Sequence, residues 1–291
     1  MQLSANATDG KTPLYPVSFS AVSSCAPDTL LASLPAGAAG VAGLSRSELA
    51  LPAQVATTQK VAKTFLLCLS GGEGVAIISG GPLHLLGDMA WGLGNLAPEP
   101  TIPLQRNLGI SQGYFIKAKG FSVNEEKVPL SVKEFVIELS TTTPYTTFRP
   151  DLYRSFIHAY DQATADYARI TPLVPPIEIC YDKRKMYSTR VGYSMPEFKL
   201  ALVGGSNWTM FSTNLLVDLD AQTACLAFVE MKQQATGGPA LGMVIGGYQM
   251  EGNPLVFDLE KGMLGWGGQL MWLRTSCGNF NFERIQWKAR P

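Results

Sequence analysis

From residue 14 onward, apolar positions recur in short runs separated by turn residues, the pattern of strands spaced roughly ten residues apart. Up to residue 139 the runs are "LYPVSFSAVS", "FLLCLS", "GVAIISG", "YFIKAKGFSVN", "KVPLS" and "FVIEL". Beyond it they are "EFKLALVG", "NLLVDLD", "TACLAFVEM", "LGMVIGGYQM", "PLVFDL" and "GMLGWGG". Gly-Gly pairs at 71–72, 80–81, 204–205, 237–238, 246–247 and 267–268 punctuate these runs. Two segments break the rhythm. Residues 47–63 carry Leu51, Val55 and Val61 among polar positions, and residues 150–168 place Leu152, Phe156 and Ala159 about one turn apart, with Ala163 behind them. Both predict amphipathic helices, the second opened by Pro150. No exact repeat is present, but "GVAGLSRSELALPAQ" loosely echoes the later strand–helix unit, as two similar lobes would. The pattern predicts an all-β, bilobal chain divided near residue 112, at "NLGISQG". Residues 1–112 then form one block, 113–282 the other, and 283–291 a disordered tail.

Composition narrows the class. Hydrophobic residues are 46% of the 291 and charged residues only 16%, with 29 glycines and 19 prolines, which fits a compact, loop-rich β protein. The 23 Lys and Arg balance 23 Asp and Glu, so the chain lacks the basic excess on which nucleic-acid binding rests. No apolar run approaches the roughly 20 residues that span a bilayer, and the N-terminus lacks a secretory-leader pattern. Cys25, Cys68, Cys180, Cys225 and Cys277 are widely spaced without a CxxC pair, which argues against a zinc or dithiol redox site. Asn6-Ala7-Thr8 and Asn207-Trp208-Thr209 are glycan acceptor sequons. Scattered cysteines and sequons together point to an extracellular protein. An odd cysteine count leaves one thiol without an intrachain partner.

The candidate chemistry lies in "FVIELSTTTPYTTFRPDLYRSF", where a strand runs into Ser140, Thr141, Thr142 and Thr143. A strand–turn–helix unit can present a reactive side chain, but this turn offers hydroxyls alone. A serine nucleophile needs a neighbouring base, and His84 and His158 sit in no recognisable triad or metal-ligand spacing. "SGGEG" and "ISGGP" lack the helix and Lys-Ser/Thr ending of a phosphate loop and predict hairpin turns. Trp91, Trp208, Trp266 and Trp287 are expected in packing roles; Trp272 is the candidate contact residue.

The order of these signals resembles the plant pepsin-like aspartic proteinases along nearly the whole chain. "GVAGLSRSELALPAQ", "FLLCLSGGEGVAIISGGP", "GYFIKAKGFSVNEEKVPL", "MPEFKLAL", "TACLAFVEM" and "MVIGGYQMEGNPLVFDLEKGMLGW" appear in the family's order. Within it, "ASLPAGAAGVAGLSRSELALPAQVATTQKVAKTFLLCL" is similar to the wheat-type xylanase inhibitors. "SCGNFNF" is similar to the extracellular dermal glycoprotein and basic seed globulin branch.

The resemblance implies a bilobal pepsin-like fold with an incomplete first lobe and a complete second one, the first catalytic turn lying upstream of the matching region. It implies pairing of Cys180 with Cys225; Cys68 with Cys277 is a further candidate pair, and the orphan is Cys25 or another thiol of the first block. Pepsin-like catalysis shares a proton between two carboxylates about 3 Å apart, each in an Asp-Thr-Gly or Asp-Ser-Gly turn. This chain has no such tripeptide; Asp28-Thr29-Leu30 lacks the glycine. Aligned on Thr146, Phe148 and Tyr153, Ser140 stands where the second aspartate would be, with Thr141 and Thr142 after it. The implied function is a catalytically inactive relative that inhibits a microbial xylanase or glucanase in plant defence. It would act as an extracellular monomer (apoplast or cell wall), without cofactor or metal. Partner contacts would come from Arg184, Met186 and Tyr187 in "CYDKRKMYSTRVGY" and from Trp272, Leu273 and Arg274 in "QLMWLRTSC". Leu273 stands at or near the position of the wheat inhibitors' cleft-entering histidine. A working aspartic peptidase and a truncated product without activity remain as alternatives, and the basic loop also reads as a solvated turn.

Overall fold

A computed structural model describes residues 1–7, 15–32, 34, 37–79, 84–85, 101–105, 112–171, 175–232 and 241–281. The chain divides into two compact units, one comprising Met1–Glu99 and Gly252–Pro291, the other Pro100–Glu251.

The first unit begins with β1 (Gln2–Ala7) and β2 (Tyr15–Ser20), an antiparallel ribbon in register Leu3 to Phe19 and Ala5 to Val17. Helix α1 (Leu51–Gln59) carries Pro52 near its start, where the missing N–H costs no hydrogen bond, and ends on Lys60 in the left-handed region. Strands β3 (Thr64–Cys68) and β4 (Val75–Ile78) form a hairpin.

The second unit is built on an eight-stranded sheet. Its strands are β5 (Tyr114–Val123), β6 (Phe135–Leu139) and β7 (Thr146–Phe148). Helix α2 (Pro150–Ala163) follows, then β8 (Cys180–Asp182), β9 (Phe198–Leu202) and β10 (Asn207–Met210). Strands β11 (Leu216–Asp218), β12 (Thr223–Leu226), β13 (Phe228–Glu230) and β14 (Leu241–Ile245) complete the unit. The main sheet has the order β10-β9-β5-β6-β14-β7-β13, with Glu126–Lys127 added on β5. Strands β8, β12 and β11 form a separate three-stranded sheet. Helix α2 packs Leu152, Tyr153, Phe156 and Tyr160 into the core. Phe156 stacks on Phe148 at 4.9 Å and meets Phe198 and Phe228 edge-on or tilted, geometry that adds to simple area burial. The helix stops at Ala163 rather than 168: Thr164 leaves the helical region at φ −122° and ψ 25°, with its hydroxyl donating to the Tyr160 carbonyl at 2.6 Å.

The chain then returns to the first unit with β15 (Leu255–Asp258) and β16 (Met263–Trp266). Strand β15 lies between β3 and β16, antiparallel to both, and Phe65 stacks on Phe257 at 4.5 Å. This grouping differs from one lobe spanning 113–282. Residues from 252 onward join the N-terminal segment because β15 hydrogen-bonds to β3 and Cys277 is bonded to Cys68. The 283–291 tail lies outside the described residues.

Candidate functional site

Strand β14 lies between β6 and β7, so the 140–145 connection must cross over its end. The approach is close enough that a Cβ on Gly246 would stand 2.5 Å from the Tyr145 carbonyl carbon and 2.8 Å from the Thr143 oxygen. Only glycine fits there. The Ser140 N–H donates to the Ile245 carbonyl at 3.0 Å, and Gly247 and Tyr248 donate to Thr143 and Pro144 at 2.8 and 3.0 Å. The buried Thr146 hydroxyl accepts from Gly246, while the Thr146 N–H donates to Gln249 Oε1. Gln249 Nε2 in turn reaches the Asn214 and Ala227 carbonyls at 3.0 and 2.9 Å. These bonds satisfy the buried polar groups around the crossing and fix its shape.

What the turn displays is neutral. Ser140 Oγ lies 3.1 Å from Thr142 Oγ1 and accepts from Thr143 Oγ1 at 3.0 Å. Among the described residues, none of these hydroxyls bonds to a histidine or a carboxylate. Thr141 is exposed beside them. His158 is exposed on α2, and Asp28 opens a four-residue helical turn rather than ending a strand. Glu138, two residues before Ser140 and so on the same strand face, is half-buried, and burial pushes its carboxyl above the usual range. His84's side chain, Trp91 and Trp287 lie outside the described residues. No group of three or more metal-ligating side chains occurs among the described residues, and no described helix is long and apolar enough to cross a membrane.

The loop after β8 is a 3-10 turn, Lys183–Lys185, capped by Asp182. Asp182 accepts from the Arg184 N–H at 3.2 Å and from its guanidinium at 2.7 and 2.8 Å. That guanidinium holds the Asp182 carboxyl below the usual carboxylate range. Lys183 Nζ lies 2.7 Å from Asp218 Oδ2, and the Tyr193 hydroxyl shares that carboxylate at 3.2 Å. Two of the three cations are therefore committed to the loop's own shape. Lys185 and Tyr187 project from it, Tyr187 with 85% of its surface exposed, while Met186 is half-buried. These internal pins were not read from the sequence, although an Asp two residues before an Arg at a turn cap is a usable signal. The Thr146–Gln249–Asn214 network gives no local signal, because it joins residues distant in sequence.

In the first unit, Trp272 lies on the 3-10 turn Leu270–Leu273 and is 56% exposed. Leu273 packs with Leu66, Cys68, Leu270 and Cys277, and Arg274 is exposed in the left-handed region at φ 53°. Cys68 is bonded to Cys277 and Cys180 to Cys225, the latter bridging directly opposed residues of β8 and β12. Cys25 is free and exposed. Asn6 and Asn207 are both exposed, on β1 and β10.

Two family models match this chain: one described as xylanase inhibitor N-terminal over residues 2–80, the other as xylanase inhibitor C-terminal over residues 113–267. The chain is similar to a rice (Oryza sativa subsp. japonica) protein named Chitinase CLP, at 53% identity over 97% of this chain and 68% of that one. It is 30% identical to Probable aspartic proteinase GIP2 of Nicotiana benthamiana, over 90% of this chain and 63% of the relative. Gamma conglutin 1 of Prunus dulcis is also 30% identical, over 92% and 61%. The chain thus spans roughly two thirds of the length of the curated relatives it matches. The solved structure of edgp superposes with a TM-score of 0.80 at 29% identity, covering 96% of this chain and 72% of that one. Conglutin gamma from lupine seeds superposes with a TM-score of 0.72 at 25% identity, over 96% and 70%. The chain belongs to the xylanase-inhibitor family, a plant group with the pepsin-like fold.

Proposed function

We infer that this protein is not a peptidase but an extracellular binding protein that, as a monomer, inhibits a microbial glycoside hydrolase, a xylanase or a glucanase. The observation that carries this reading is the hydroxyl cluster Ser140–Thr142–Thr143 at the strand end where the fold's peptidase chemistry needs a carboxylate. Neutral hydroxyls cannot share a proton as an acid pair does. The family match supports a glycoside hydrolase as partner, since the family is described by xylanase inhibition.

Such hydrolases flank the scissile bond with two carboxyl groups, so cations and aromatic anchors suit their clefts. The pinned turn after β8 supplies both. Lys185 contributes the uncommitted charge and Tyr187 the anchor, while Arg184 acts by holding the turn through Asp182. In the first unit, Trp272 and Arg274 are the exposed contacts, and Leu273 serves packing. Titrating microbial xylanases and glucanases with the full-length protein should abolish the activity of at least one enzyme near equimolar ratio. Tyr187→Ala and Lys185→Ala should each raise the inhibition constant by about tenfold, the scale of an interface residue worth over 1 kcal/mol. Undiminished activity of every enzyme at micromolar excess would overturn the reading.

A second reading is favoured by the 53% identity to a relative named as a chitinase. Glycoside hydrolysis uses a pair of carboxyl groups, and Glu138, half-buried just before the hydroxyl turn with burial raising its carboxyl above the usual range, would supply one of the two. Release of sugar from chitin oligosaccharides, abolished in Glu138→Gln, would establish it in place of the inhibitor reading.

A further inference from the structure

Asn207-Trp208-Thr209 does not lie in a loop: it forms most of β10, the outermost strand at one end of the eight-stranded sheet. Among the described residues, strand β10 pairs with β9 alone, in register Leu200 to Trp208 and Ala201 to Asn207, and none of them pairs with its other edge. The two-residue period of a strand sends alternate side chains to opposite faces. Trp208 and Met210 are thereby buried in the core at 1% and 0% exposure. Asn207 and Thr209, the two residues that define the sequon, share the opposite face with Lys199 and Ala201, and Asn207 is exposed. Among the described residues its carboxamide has no hydrogen-bond partner. It stands two residues after the Gly204–Gly205 turn, whose positive φ angles of 118° and 92° bring the strand sharply back on β9.

We propose that Asn207 carries an N-linked glycan that guards this open sheet edge against pairing with another chain. The buried Trp208 fixes the strand, so a sugar attached to Asn207 leaves from the exposed face of the outermost strand, beside its edge. An exposed row of backbone N–H and C=O groups is a template for edge-to-edge association, and natural sheets cover or charge such edges. Here the cation on that face is already engaged: Lys199 is paired with Glu125 and Glu197. In the transfer, Asn207 Nδ2 attacks C1 of a lipid-linked oligosaccharide diphosphate. The C1–N bond forms, the C1–O bond to phosphate breaks, the lipid diphosphate leaves with the electron pair, and Nδ2 releases a proton. The proposal depends on passage through a secretory compartment and not on hydrolase binding.

The test is to secrete the full chain from a eukaryotic host behind a cleavable leader and to map peptides after endoglycosidase trimming, which leaves one N-acetylglucosamine on each occupied asparagine. The residual sugar is expected on Asn207. Asn207→Gln and Thr209→Ala should both lose it and shift from monomer to larger species at concentrations where the unaltered protein stays monomeric. Enzymatic deglycosylation of the folded protein should produce the same shift, whether or not the variants are secreted. An unmodified Asn207 in secreted protein would overturn the site. A glycan whose removal leaves the size distribution unchanged would overturn the guarding role. Inhibition of a hydrolase, measured on the same samples, should be equal with and without the glycan, which separates this result from the fate of the binding reading.

Discussion

Ser140 and Glu138 stand two residues apart on one strand and have opposite electrostatic characters. The Ser140 hydroxyl is satisfied by Thr142 and Thr143 and carries no charge. Glu138 is an acid that burial makes reluctant to ionise. A carboxyl whose pKa is higher folded than unfolded costs stability once pH exceeds the folded value, and the cost vanishes below the unfolded value. Glu138→Gln should therefore raise the melting temperature at pH 7, with the gain shrinking toward zero by pH 3. An equal gain at both pH values in thermal melts would show that burial of the ionised carboxylate is not the cause. The absence of an Asp-Thr-Gly or Asp-Ser-Gly tripeptide was legible because it is a matter of residue identity. The commitment of Arg184 to Asp182 was not, because whether a cation points outward or back at its own turn depends on backbone direction.

At the scale of elements, the fold depends on β14 threading between β6 and β7 beneath the 140–145 crossing. Gly246→Ala would drive a methyl against the Tyr145 and Thr143 backbone, which cannot yield as a flexible side chain does. Overpacking of this kind costs roughly 1–3 kcal/mol, and urea unfolding should show a loss of at least that size; an unchanged midpoint would mean that the crossing is loose. The ten-residue β5 and the apolar run of β6 were legible as strands. Short segments were less so. "TACLAFVEM" reads as one strand but breaks at Ala227, whose N–H turns to the Leu215 carbonyl, so β12 and β13 serve different sheets. In "KVPLS" the strand ends at Lys127, with one further bond from the Val128 N–H to the Phe121 carbonyl at 3.1 Å, and Pro129 lacks a ladder donor. "NLLVDLD" begins in the helical turn Ser212–Leu215. On α2 the buried face uses Tyr153 and Tyr160 where small alanines were expected. The Tyr160 hydroxyl donates to the Pro196 carbonyl, which lets a polar-tipped ring enter the core.

Over the whole molecule, two disulfides tie together segments distant in sequence, and the family match covers residues 2–80 and 113–267. Grouping of the chain's two ends into one unit was not legible from periodicity, because pairing of β3 with β15 joins segments almost 200 residues apart; the candidate pair Cys68–Cys277, which forms, was the one signal that crossed that distance. The central claim is chemical: a fold that performs peptide hydrolysis with a shared acid pair here carries a hydroxyl cluster instead. It is tested most directly by incubating the full-length protein with an unfolded protein substrate from pH 2 to pH 6, with and without pepstatin, and following peptide release by mass spectrometry. The account predicts no release above the substrate-alone control at any pH. Pepstatin-sensitive cleavage with an acidic optimum would contradict it.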